Sequence, residues 1–250
     1  MAESEQTEDP KEATLRSDVT VELIKYSASD ADVLFAARVS TLGELTLEKA
    51  QDGVQATDRD QGLINYLMRD RHGSPFEHNS MTFYVQAPIF VFREFMRHRI
   101  ASYNEESGRY RQLRGVFYTP GPERHLQQEG KPGAYVFVPG TPEQAALVSA
   151  EVEASVTEAY ASYHRMLDAG VAREVARIVL PVNIYSSMYV TMNARSLMNF
   201  LSLRTKREDS HFPSFPQREI EMVAEKMEAE WEKLMPMTYA AFNEHGRVSP

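Results

Sequence analysis

The sequence predicts a mixed α/β protein of the α+β type, with its strands segregated from long helices. Three observations predict this class. Met81, Phe83, Val85 and Ala87 alternate with polar or aromatic neighbours, and Ser186, Met188, Val190 and Met192 share one side of a second alternating run; both read as half-buried strands. Val148, Val152, Val156, Tyr160, Tyr163 and Leu167 mark one face of a long helix, as Ile220, Val223, Met227, Trp231 and Leu234 do in the last one. No internal repeat and no linker interrupts the chain, so a single domain is expected over 19–250, after a disordered acidic leader over 1–18.

The elements follow in order. A short strand is expected over Val19–Tyr26, then a helix capped by Ser29 and carrying Leu34, Phe35 and Val39. Residues 44–60 are polar and poorly periodic. A helix is expected from Thr57 to His72, with Gly73 as its stop. Pro88 ends the strand through Met81 and opens a helix with Ile89, Phe92, Phe95 and Met96. Residues 118–142, rich in Gly and Pro, predict an ordered surface loop with a short strand over Ala134–Val138. Thr141, Pro142 and Gln144 form a capping-box start for the long helix, which Gly170 closes. A second helix, Arg173–Leu180, stops at Pro181. After the strand Val182–Met192, Asn193 caps a helix through Leu197, Phe200 and Leu201. A polar break, 205–216, precedes the final helix.

Composition narrows the function. A net charge of −9 argues against general binding to nucleic-acid backbones. No apolar run approaches the length of a membrane span, and the first residues lack an apolar signal core, so a cytoplasmic location is expected. The 250 residues contain no cysteine, which removes disulfides, thiolate metal sites and a cysteine nucleophile. His72, His78 and His98 lack the spacing of a ligand pair on one element, and arginines crowd His98, so no metal is expected.

The basic residues are biased toward arginine, whose planar fork grips phosphate bidentately. Six arginines and no lysine lie between Arg93 and Arg114. Arg97, His98 and Arg99 fall at an expected helix end, and Asn104 to Arg109 form an expected polar turn with backbone N–H groups, a hydroxyl and a guanidinium for one anion. A solvated basic face is the plainer reading. It is weakened by the apolar helix before the cluster, which draws the arginines toward an interior or interface where unpaired charge is costly. Arg204 lies one turn beyond the stripe Leu197, Phe200, Leu201, within reach of a buried ligand. An enzyme, a non-catalytic nucleotide-binding regulator and an assembly protein using the arginines as an interface all remain open on the residues alone.

The segment RHRIASYNEESGR resembles the signature of the flavin-dependent thymidylate synthases: Arg-His-Arg, a spacer, Ser, Asn-Glu, Ser, Arg. HGSPFEH, APIFVFREF, REVARIVLP and NARSLMNFLSLR also look like family segments, in the family's order, so the likeness runs from about Val21 to Arg204. The resemblance implies an antiparallel sheet with long helices packed against it, in a homotetramer whose sites are shared between subunits. It implies reductive methylation of dUMP to dTMP, with 5,10-methylenetetrahydrofolate as carbon donor and NADPH as the reductant of FAD. Ser74, Glu77, Arg97, His98, Arg99, Ile100, Glu105, Asn193, Arg195 and Asn199 would hold FAD, with His72 near its ring. Glu94, Arg97, Glu105, Glu106, Ser107, Gly108, Arg109, Arg177 and Arg204 would hold dUMP. With no thiol available, ring activation must be electrostatic, and Arg204 is the expected catalytic group. Glu94 stands where many relatives carry an uncharged residue, and Arg93 or Arg97 is expected to neutralise it. The 205–216 stretch is longer than the resemblance implies, and His211 within it matches a flavin-contacting histidine only loosely.

Overall fold

The computed structural model describes residues 11–46, 57, 60–131 and 134–250. Its strands are β1 (Thr14–Arg16), β2 (Thr20–Ser27), β3 (Ser80–Pro88), β4 (Ser102–Glu105), β5 (Val116–Tyr118), β6 (Gln127–Lys131), β7 (Ala134–Val138) and β8 (Tyr185–Met192). Its helices are α1 (Asp30–Leu42), α2 (Gln61–Arg69), α3 (Ile89–Phe95), α4 (Pro142–Asp168), α5 (Arg173–Ala176), α6 (Ala194–Arg204), α7 (Arg218–Leu234) and α8 (Pro236–Glu244). The mixed α/β class with an antiparallel sheet is present. Four strands form one sheet in the order β2-β3-β8-β4. None of the described helices is long and apolar enough to cross a membrane.

The chain groups into two compact units. The sheet unit joins Val19–Val85, Glu94–Asn104 and Met188–Pro250; the α4 unit joins Gln86–Arg93 and Glu105–Ser187 with residues up to Asp18. Each unit is built from segments far apart in the chain, so no shift in composition marks a boundary.

In the sheet unit, alternation places Met81, Phe83, Val85, Met188, Val190 and Met192 in the core. The amphipathic helices bury Leu197, Phe200 and Leu201 from α6 and Ile220, Val223, Met227 and Trp231 from α7. Both cap expectations hold: Ser29 accepts from Asp32 N, and the Asn193 side chain accepts from Ser196 N at 2.9 Å. The buried Asp30 carboxylate accepts from Met237 N, Thr238 N and the Thr238 hydroxyl, tying α1 to the start of α8. Helix α8 itself was not expected. Met235 leaves helical geometry (φ −134°), and Pro236, with no N–H to satisfy, opens a new helix. The segment expected as a polar break over 205–216 is bound to its surroundings: His211 N donates to Gly246 O at 2.9 Å, and Arg207 pairs with the buried Glu228, which also pairs with the buried Arg247.

In the α4 unit, the long helix begins with the capping box Thr141–Gln144. It buries Val156, Tyr160 and Tyr163 against Leu113, Phe117, Ala176 and Ile184. Val148 and Val152 are half-buried; Val152 packs against the edge of this core, and the stripe expected from Val148 is fully buried only from Val156. The hydroxyl of Tyr160 donates to Leu113 O and that of Tyr163 accepts from Leu113 N.

Several expected boundaries move. The leader expected over 1–18 contains β1, which pairs parallel with β5, Thr14 opposite Val116, and Lys11 reaches Asp168 at 3.0 Å. The helix expected over Thr57–His72 ends at Arg69, because Arg71 takes a left-handed φ of 62°; among the described residues its α-helical part begins at Gln61. The Arg173–Leu180 helix is one α turn followed by a 3-10 turn, Arg177–Val179. Strand β6, of sequence QQEGK, has no apolar alternation; antiparallel pairing with β7 makes it a strand. Of the polar stretch expected over 44–60, residues 47–56, 58 and 59 lie outside the described residues.

Candidate active site

Helix α3 is anchored by the buried Phe92 and Phe95, and the chain leaves it at Phe95 by a tight turn in which Arg97 N donates to Glu94 O and His98 N to Phe95 O. The turn leaves Arg97, Arg99 and Ile100 exposed, Ile100 at 75%. Among the described residues neither Arg97 nor Arg99 has a carboxylate partner, so both guanidinium groups are available to an anion.

The His98 ring packs edge-on against Phe200 at 4.9 Å, and its Nε2 accepts a hydrogen bond from Arg204 Nε at 3.0 Å. Arg204 is the last residue of α6, where the buried face of that helix runs out. Its Nη1 donates to Glu94 Oε2 at 2.9 Å. Glu94 is therefore neutralised by Arg204, not by Arg93 or Arg97 as the sequence suggested; adjacent helix ends brought together in space override nearness in the chain. Burial, reinforced by the Arg204 charge, pushes His98 down to about 4. The imidazole is neutral, and an accepting Nε2 places its proton on Nδ1. Burial pushes the Glu94 carboxyl up; Arg204 opposes this and Glu219 adds to it.

A second group in the sheet unit surrounds Arg195. Arg195 pairs with Glu77, and its Nε donates to Pro250 O at 2.6 Å. The guanidinium lies across Gly73: a Cβ there would stand 2.5 Å from Arg195 Cζ. Ser74, in the 3-10 turn Ser74–Glu77, and Asn199 are exposed. Asn193 spends its side-chain oxygen on the α6 cap, which leaves only its amide N–H groups for a ligand. His72 is exposed and tilted against Tyr66, 5.4 Å away.

The third group lies in the α4 unit. Asn104 and Glu105, expected in a turn with Arg109, belong to strand β4, and the turn begins only at Glu106, whose N donates to Ser187 O. Ser107 organises it: its carbonyl accepts from Tyr110 N and Arg111 N, and its hydroxyl from Arg109 N. Gly108 is required by close approach, since a Cβ would come within 2.9 Å of Leu113 and 3.2 Å of Arg177. Arg177 is thereby packed against the turn. Arg109 Nε pairs with Glu174 at 2.6 Å, and Arg111 with Glu106 at 3.1 Å. Burial pushes the Glu105 carboxyl up, with Ser186, Arg177 and Arg93 pulling it down and Glu106 pushing it up.

The expected residues thus fall into three groups, two in one unit and one in the other. Sequence reasoning gave no role to Gly73 beyond a helix stop, or to Tyr103, whose hydroxyl bonds the turn after α3. Gly73 lies inside HGSPFEH, and its place in that segment was the signal that could have found it. Tyr103 stands between Ser102 and Asn104 at a position that carries no signal.

A family model described as thymidylate synthase complementing protein matches residues 22–237. A flavin-dependent thymidylate synthase of Streptomyces coelicolor is 67% identical over 244 residues, covering 97% of this chain and 98% of that protein. One from Tropheryma whipplei is 60% identical over 238 residues, covering 94% of this chain and 96% of that protein. Among solved structures, the UMP/dUMP methylase PolB of Streptomyces cacaoi bound with 5-Br dUMP superposes with a TM-score of 0.88 at 56% identity, covering 94% of this chain and 99% of that one. The same methylase bound with 5-Br UMP gives 0.86 at 55% identity, with 95% and 100% covered. A match over this length, with motifs and fold in agreement, places the chain in the flavin-dependent thymidylate synthase family.

Proposed function

We propose that the protein methylates dUMP to dTMP by a reductive route in which no cysteine takes part. The observation that carries this reading is the Arg204 fork. Its Nε is held by a neutral imidazole and one Nη by a carboxylate, while the other Nη has no partner among the described residues. A guanidinium fixed on two sides stabilises negative charge developing on a pyrimidine without reorganising during the reaction. This is the activation that a thiolate would otherwise supply, and the chain has no thiol.

In this reading Ser107, Gly108, Arg109 and Arg177 hold the nucleotide phosphate, and Arg109 exchanges its exposed partner Glu174 for it. Such surface pairs are worth about 0–1 kcal/mol, so the exchange costs little. Glu94, Arg97, Glu105 and Glu106 complete the nucleotide contacts. The donor set also suits FAD: Arg97 and Arg99, with no carboxylate partner among the described residues, fit an anionic diphosphate, and Ser74, Glu77, His98, Ile100, Glu105, Asn193, Arg195 and Asn199 add hydrogen bonds and one apolar contact. Bound FAD supplies the reducing equivalents that turn a transferred methylene into a methyl group. NADPH as reductant, 5,10-methylenetetrahydrofolate as carbon donor, a homotetramer with shared sites and a cytoplasmic location belong to the same reading.

Because PolB is described as acting on UMP as well as dUMP, the ribonucleotide is a second substrate to test. An anaerobic assay with NADPH, FAD, methylenetetrahydrofolate and either nucleotide decides. The expected result is dTMP from dUMP. Flavin-loaded protein that turns over neither nucleotide overturns the proposal.

A further inference from the structure

We propose that Tyr103 is a positioning residue for this methylation: its hydroxyl pins the turn after α3 so that the His98 ring meets Arg204. The inference rests on Arg204 as the group that activates the pyrimidine. The family signature leaves position 103 without a role.

The Tyr103 hydroxyl shares its one proton between two carbonyls, His98 O at 2.6 Å and Phe95 O at 3.1 Å. Phe95 ends α3 and its carbonyl also accepts from His98 N, whereas His98 lies in the turn that follows, where its carbonyl is beyond the helical ladder. Its ring stands edge-on to Phe95 at 5.8 Å, so the side chain is located by packing as well as by the bond. The carbonyl it holds and the imidazole that accepts from Arg204 belong to the same residue. His98 is gripped from two directions, Tyr103 at its backbone and Phe200 at its ring, and its Nε2 is left aimed at Arg204. Releasing the backbone grip lets the ring tilt, and a tilt of about 1 Å breaks a bond of this length and frees the guanidinium to wander. Misplacements of this size cost up to about 100-fold in rate. Burial pushes the Tyr103 hydroxyl up to about 12, so it remains a donor throughout the working range. Tyr103 acts through His98 on Arg204 rather than by touching nucleotide or flavin.

The test is a double-mutant cycle on the holoprotein: Tyr103→Phe, Arg204→Ala and the pair together. Turnover, dUMP affinity, flavin content and melting temperature are measured for each. Tyr103→Phe removes one oxygen and keeps the ring. It is expected to lower kcat about 5- to 20-fold with flavin retained, and to change the Arg204→Ala protein by less than about twofold. Where turnover of Arg204→Ala is too low to follow, dUMP affinity closes the same cycle. Equal factors in both backgrounds, or wild-type kcat in Tyr103→Phe, overturn the proposal. If Tyr103→Phe fails to fold, 3,5-difluorotyrosine at position 103 keeps the ring and hydroxyl but ionises at lower pH. Its kcat must then fall on the alkaline side where wild type is level, and coincident pH profiles refute the role. Wild-type protein that makes no dTMP defeats the functional reading and this inference together, whereas active protein with additive factors defeats this inference alone.

Discussion

Replacing Gly73 by alanine separates the fold from the Arg195 group. The backbone at Gly73 is right-handed (φ −74°), so alanine adopts it without strain and gains about 0.4–1 kcal/mol through the unfolded chain. The new Cβ would stand 2.5 Å from Arg195 Cζ and 2.6 Å from its Nε, closer than side chains tolerate. What gives way is the end of a flexible side chain, so the guanidinium moves and the backbone does not. It leaves the exposed Arg195–Glu77 pair, worth at most about 1 kcal/mol, and the Nε bond to Pro250 O, which contributes about 0.5–1.5 kcal/mol. Set against the gain in the unfolded chain, the net loss is at most about 2 kcal/mol, and the melting temperature is expected to fall by no more than about 8 °C. Flavin affinity responds differently. A charge-assisted hydrogen bond contributes about 1.5–3 kcal/mol, so displacing Arg195 is expected to weaken FAD binding about 10- to 100-fold, measured by fluorescence titration of the apoprotein. Unchanged FAD affinity in the folded variant would refute the assignment of Arg195 to the flavin.

Further outcomes are expected. Arg109→Ala weakens dUMP binding about 10- to 100-fold by calorimetry and changes stability in urea by no more than about 1 kcal/mol, because an exposed pair with Glu174 and an exposed contact over the Tyr110 ring are lost. Arg204→Ala reduces kcat for dTMP formation by about 100-fold or more, and near-normal turnover ends its role in ring activation. Gly115→Ala puts a Cβ 2.3 Å from the fully buried Tyr160 ring, which cannot swing aside, and destabilises the protein by about 1–3 kcal/mol in urea. The His98 value of about 4 lies below that of the unfolded chain, so the unfolded state binds the proton first as pH falls. Stability from this group is complete above the ordinary histidine value of about 6.5 and is lost toward pH 4. Between pH 7 and 5.5 it amounts to about 1 kcal/mol, and His98→Gln should lack that loss in paired urea titrations.

The sequence by itself determined the class of fold, most of its elements and the family. Strands β3 and β8 and helices α4, α6 and α7 were legible because their signals are local: alternation, helical stripes, Ser29, Thr141 and Asn193 as caps. The arginine-rich segment was legible because one short stretch holds many residue types at fixed distances. Tertiary structure alone decided the rest. Strand β6 exists because β7 pairs with it, and β1 because β5 does. Glu94 is neutralised by Arg204, 110 residues away, rather than by an arginine beside it. Gly73 matters because Arg195 lies across it, and Tyr103 because two carbonyls fall within reach of its hydroxyl. Periodicity and capping act over a few residues and are written in the order of the chain. Ion pairs, close approaches and hydrogen bonds act over a few ångströms, and only folding decides which distant residues come that near.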